Sequence, residues 1–108
     1  MNRNYQVTYE FKKLVEIHFT TSNSIGMYAS KLGISAKHLK EVIKEETGTT
    51  ALQLIHERLL LESQYLLKHT TLSIKECAAL LGFETSSYFS RFFKAQMACS
   101  PSDFRKNP

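Results

Sequence analysis

One spacing occurs twice in this chain. Ala29 and Gly33 return 49 residues later as Ala78 and Gly82, and Ser35, Leu39 and Lys44 return 50 residues later as Thr85, Phe89 and Lys94. The slip of one residue falls between the two sets, where Phe83-Glu84 stands against the single Ile34. Each part of the spacing has a physical meaning. A glycine tolerates the positive φ that ends a helix, a small residue four positions before it lets another helix approach, and the hydroxyl beyond it caps the next helix. Each copy therefore predicts two helices meeting at a tight turn, and the recurrence of all the parts together sets them apart from chance helical spacing.

The second copy is the clearer one. Ser73 and Glu76 form a capping box that starts a helix near Ile74, with Ile74, Cys77, Ala78 and Leu81 inward. After Gly82, Thr85 caps a helix whose packing face is read as Tyr88, Phe89, Phe92 and Phe93 and whose outer face is Ser86, Ser87, Ser90, Arg91 and Lys94. In the first copy Ser24 caps a helix with Ile25, Tyr28, Ala29 and Leu32 inward. Ser35 then caps another with Leu39, Val42 and Ile43 inward and Ala36, Lys37, Lys40, Glu41 and Lys44 outward, stopped by Gly48. Both copies read as helix-turn-helix units.

The remaining segments fit around them. Met1–Gln6 carries no pattern and is expected to be a disordered extension, followed by an amphipathic helix from about Val7 to Phe19. Thr50 and Gln53 open a long helix over 50–68 with the stripe Leu52, Ile55, Leu59, Ser63 and Leu66. Ser100 caps a short last helix with Pro101 in its first position. No strand pattern occurs. The expectation is an all-α domain over 7–108, with seven helices in two helix-turn-helix subdomains, at about 24–46 and 73–97, joined by the long central helix.

Charge narrows the class of partner. Fourteen Lys and Arg against 10 Asp and Glu give a formal charge of +4 and a pI near 9.1, which favours a polyanion. Recognition helices in successive major grooves on one side of B-DNA must stand about 34 Å apart. A connecting helix of roughly 18 residues, at about 1.5 Å each, supplies about 27 Å before packing offsets. Cys77 and Cys99 lack the spacing of a secreted disulfide scaffold and read as reduced, and with His18, His38, His56 and His69 they show no metal-ligand spacing. There is no glycine loop to cradle a phosphate and no Ser/His/Asp arrangement, so the chain is read as no enzyme, with no cofactor, no metal and no membrane segment, in the cytoplasm.

With both units in view, the sequence resembles the DNA-binding domain of AraC/XylS-type transcription regulators from about Phe11 to Lys106. The resemblance rests on Ile74-Lys75-Glu76-Cys77-Ala78, on Gly82-Phe83, on Ser87-Tyr88-Phe89-Ser90-Arg91-Phe92-Phe93-Lys94, and on Ser100-Pro101 followed by Phe104-Arg105. A fainter counterpart runs through Ala29, Leu32, Ile34-Ser35, Leu39, Lys44 and Gly48, then Ile55 and Arg58. It implies a bacterial transcription activator binding double-stranded DNA as a monomeric module, with RNA polymerase as a further partner. It also implies that this chain is either the C-terminal part of a larger regulator, dimeric as a whole, or a stand-alone member. Departures are Ala98 where glycine is usual, Ala51 for proline, Ile43 for phenylalanine and Cys77 for isoleucine or valine. Ala98 is expected to distort the end of its helix.

Chemistry assigns the outer residues. Lys37, Lys40 and Glu41 in the first unit and Ser86, Ser87, Ser90 and Arg91 in the second are candidates for base contacts. Lysine and arginine donate to guanine O6 and N7, glutamate accepts from cytosine N4, and serine admits close approach. Glu41 has the competing reading of an ion pair with Lys37 or Lys44. Ser35, His38, Lys44, Thr85 and Lys94 are candidates for phosphate contacts, and Arg58 for an internal ion pair or a cap between subdomains. The alternative from another class is a helical protein-interaction module that has lost DNA binding.

Overall fold

The repeated Ala…Gly spacing is a helix-ending device. Ile34 N–H donates to Ala29 O across Gly33, and Phe83 N–H donates to Ala78 O across Gly82, at 3.1 and 3.0 Å. Gly33 and Gly82 take φ of 71° and 87° to allow it. This six-to-one bond satisfies a carbonyl orphaned at a helix end and turns the chain sharply. The computed structural model describes residues 3–107. They form seven helices: α1 (Arg3–His18), α2 (Ile25–Leu32), α3 (Ala36–Thr47), α4 (Ala51–His69), α5 (Ile74–Leu80), α6 (Ser86–Met97) and α7 (Pro101–Lys106), with no strand among these residues. The chain divides into two units, with the boundary inside α4 between Arg58 and Leu59.

The first unit packs α1, α2, α3 and the start of α4 around Phe11, Tyr28, Leu39, Ile43 and Ile55, none of which touches solvent. Tyr28 buries its ring edge-on to Phe11, with centroids 5.4 Å apart, and keeps its hydroxyl satisfied by donating to Ser22 O at 2.9 Å. Each such side chain contributes on the order of 1.5–3 kcal/mol by leaving water. Arg58 grips Glu16 with two bonds, Nε to Oε2 at 2.9 Å and a terminal nitrogen to Oε1 at 3.0 Å, while its guanidinium lies 4.3 Å from the Phe19 ring centroid. The expected ion pair thus exists, and it lies within the first unit.

Helix α1 corrects the expected start. It begins at Arg3, so Arg3–Gln6, read as part of a disordered extension, form its first turn; Met1 and Asn2 lie outside the described residues. The inward line there includes Thr8, which is buried and donates its hydroxyl to Asn4 O at 2.9 Å, so the apolar periodicity is broken by a polar residue. Ile17, apolar but off the buried line, is 67% exposed.

The second unit is built on aromatic pairs. Phe83 meets Phe89 and Phe92, each at 5.4 Å between centroids, Phe89 meets Phe93 at 6.0 Å, and Phe93 meets Phe104 at 5.3 Å. Offset and edge-on rings at such distances gain about 0.5–1.5 kcal/mol per pair beyond burial. Two cations tie α7 to the C-terminal end of α4, one from each helix. Arg105 Nε donates to Leu67 O at 2.9 Å, and the Lys68 amine donates to Phe104 O and Asn107 O with Phe104 beneath it. Along α4 the buried line is Ala51, Ile55, Leu59, Ser63, Leu66 and Leu67, and Ser63 satisfies its hydroxyl on Leu59 O at 2.7 Å. Leu52, read as part of that stripe, is 40% exposed, because Ala51 takes the inward position.

Candidate nucleic-acid interface

Two helices present polar strips, and each is delimited by its caps. Helix α3 starts where Ser35 Oγ accepts from His38 N–H at 3.0 Å and ends at Gly48, with φ 78°. Helix α6 starts where Thr85 Oγ1 accepts from Tyr88 N–H at 3.2 Å and ends at Ala98, with φ 62°. Ser35 and Thr85, expected at phosphates, are therefore first of all caps, and each keeps a hydroxyl proton free to donate. The end of α6 is not distorted as expected. Ala98 adopts the left-handed conformation that glycine adopts elsewhere and donates to Lys94 O at 2.8 Å, so the departure from glycine is absorbed as backbone strain.

Helical geometry orders each strip. At 3.6 residues per turn, Glu41 falls opposite the buried pair Leu39 and Ile43, and Arg91 falls opposite Phe89 and Phe93. Lys37, Lys40 and Lys44 are exposed beside Glu41, and His38 is exposed on its other side. Around Arg91 the exposed neighbours are Ser87 and Lys94 on one side and Tyr88 on the other, while Ser86 and Ser90 are half-buried on the flank nearest the core. No ion pair joins Glu41 to Lys37 or Lys44. The two strips thus carry opposite chemistry at their centres, an acceptor in α3 and a planar donor fork in α6.

Charge differs as well. Helix α3 carries three lysines against three glutamates, whereas α6 carries Arg91 and Lys94 with no carboxylate. Lys44 turns its amine back onto Gly48 O at 3.1 Å, at the negative end of its own helix, and Lys94 makes no such bond. Beside the α3 strip, Lys40, Glu41 and Lys44 border an open groove of about 790 Å³ whose apolar part is Ile25, Ala51 and Leu52.

One residue of the strips escaped the sequence reading. Helical spacing puts Tyr88 on the packing face, yet it is 52% exposed, with the Arg91 guanidinium 5.8 Å from its ring centroid. The repeat held the signal. Position 88 answers to position 38, which is histidine. Among the described residues no group of three His, Cys, Asp or Glu side chains gathers as a metal site, and no helix is long and apolar enough to cross a membrane.

Two helix-turn-helix units with solvent-facing second helices define an all-α helix-turn-helix protein. Residues 28–107 match the family model described as a helix-turn-helix domain. The chain belongs to the AraC/XylS-type family. It is 34% identical over 79 residues to the transcriptional activator RhaR of Cronobacter sakazakii, covering 73% of this chain and 28% of RhaR. Among solved structures it resembles the C-terminal domain of AraT, a response regulator from Geobacillus stearothermophilus. The TM-score is 0.90 at 29% identity, covering 97% of this chain and 88% of that one. It also shares its fold with the DNA-binding domain of AdpA, solved in complex with a target DNA, with a TM-score of 0.82 at 22% identity over 91% of this chain and 88% of that one. The chain spans about a third of the length of the curated relatives it matches. RhaR is named a transcriptional activator and AdpA a global transcriptional factor.

Proposed function

We propose that this chain binds double-stranded DNA sequence-specifically to regulate transcription, with α3 and α6 entering successive major grooves. The observation that carries this is the pair of capped helices, each burying its apolar line and leaving Glu41 or Arg91 at the centre of a solvent-facing polar strip. Lys37, Lys40 and Glu41 then meet base edges in one groove, and Ser87 and Arg91 with the shorter-reaching Ser86 and Ser90 do so in the next. Ser35, His38, Lys44, Thr85 and Lys94 hold phosphates, which set register without reading sequence. The RhaR relative, named as an activator, supports activation as the output. The same reading makes the chain a monomeric DNA-binding module of a longer cytoplasmic regulator, with RNA polymerase as a further partner.

Selection of bound duplexes from a fragmented genomic library tests the proposal. The expected result is a motif with two boxes about one helical turn apart, bound with an affinity that falls steeply with added salt as counterions are released. Recovery of no motif, with a flat salt response, would replace DNA binding by a protein-interaction role.

A further inference from the structure

We infer that Tyr88 is a specificity-determining residue of the second interface, where its ring packs on the C5-methyl of a thymine beside the guanine read by Arg91. This rests on the DNA-binding reading above and goes beyond it. Three observations lead there. Helix α6 buries Phe89 and Phe93 completely and Phe92 in part, yet leaves the Tyr88 ring half in solvent, so core packing does not account for it. The ring stands on the outward strip one turn from Arg91 and touches its guanidinium, 5.8 Å from ring centroid to Cζ. The other exposed side chains around Arg91 are Ser87 and Lys94, which are hydrogen-bonding groups, and the small Ala95.

The chemistry follows from the groove. The thymine C5-methyl is the apolar feature of the major-groove edge, and it calls for an apolar partner where guanine calls for a donor fork. Tyr88 supplies the large apolar surface of this strip. Residues three apart on a helix have Cβ atoms about 5–6 Å apart. With base pairs stacked about 3.4 Å apart, the thymine lies within two steps of the guanine. The ring also limits the rotamers open to Arg91, so the fork meets guanine with less ordering left to do.

The test uses the 108-residue chain and a duplex recovered by selection. The guanine is located first, as the one whose replacement by 7-deazaguanine weakens the wild type but not Arg91→Ala. Each thymine within two base pairs is then replaced by deoxyuridine, which lacks the methyl. One replacement is expected to weaken the wild type by about fourfold, the equivalent of one buried methyl group. Tyr88→Ala should bind the thymine and deoxyuridine duplexes alike, and Tyr88→Phe, which keeps the ring, should still tell them apart. The inference is overturned if no deoxyuridine affects the wild type, if Tyr88→Ala keeps the discrimination, or if Tyr88→Phe loses it. A wild type that binds no selected duplex would overturn the DNA-binding reading itself, which is a different result. Should Tyr88→Ala fail to fold, Tyr88→Ser takes its place in the same comparison, and a wild type indifferent to every deoxyuridine overturns the inference without either variant.

Discussion

Four helix ends among the described residues take positive φ, Gly82 at 87° being one, and of the other three one lacks the usual glycine. Gly33, Gly48 and Ala98 all take positive φ, at 71°, 78° and 62°. A Cβ added at Gly33 or Gly48 would meet nothing within 4 Å, so alanine there is opposed by backbone conformation alone. Left-handed geometry costs an L-residue roughly 1–2 kcal/mol, and alanine recovers about 0.4–1 kcal/mol by restricting the unfolded chain. Gly33→Ala and Gly48→Ala are thus each expected to destabilise by about 1 kcal/mol. Ala98 is exposed, so Ala98→Gly gives up little burial and should stabilise by about the same amount. Urea unfolding followed by circular dichroism reads this directly. With a slope of about 1–3 kcal/mol per molar, the midpoint moves by roughly 0.3–1 M, down for the two alanines and up for the glycine, at unchanged slope. If Ala98→Gly left the midpoint still or lowered it while both alanines behaved as expected, the strain assigned to Ala98 would be refuted. If the alanines cost nothing, the account of all three ends would fail.

Arg91→Ala is expected to relax base preference at one position at a cost of about 1–3 kcal/mol, and uniform weakening across all sequences would make Arg91 a phosphate contact instead. Lys94→Ala should lower the slope of log affinity against log salt by about one. Lys44→Ala should lower it less, because that amine is engaged with Gly48 O, so equal slopes for the two variants count against the assignment. Glu16 has its pKa lowered from the ordinary 4.5 by hydrogen bonding to Arg58. Its folded value lies below the unfolded one, so its small, solvent-screened contribution is whole above the unfolded pKa and fades as pH falls through the folded one. Denaturation midpoints of wild type and Glu16→Gln should therefore differ at neutral pH and converge in acid, and a constant gap would be inconsistent with this pair. Ser73→Ala should cost about 1 kcal/mol by uncapping α5, measured as a lower urea midpoint.

What the sequence settled by itself is the local structure. Caps depend on side chains bonding backbone a few residues away, so Ser24, Ser35, Ser73, Thr85 and Ser100 mark helix starts wherever the chain goes, and each accepts the bond expected of it. Gly33 and Gly48 mark ends for the same reason, and the burial of Leu39, Ile43, Phe89 and Phe93 follows from spacing alone. Such interactions span one helical turn, and a turn is what periodicity reports. Tertiary structure decided the rest. Thr8 enters the core because it can satisfy its hydroxyl on its own helix, which no hydrophobic pattern displays; Ser63, already on the stripe read over 50–68, satisfies its hydroxyl the same way. Arg58 finds Glu16 across 42 residues of chain, and Arg105 reaches the carbonyls of α4 across 38. Tyr88 stays out because Phe83, Phe89, Phe92 and Phe93 pack against one another without it. Which aromatic faces solvent is set by the volume its neighbours leave, and that volume exists only once the helices have packed.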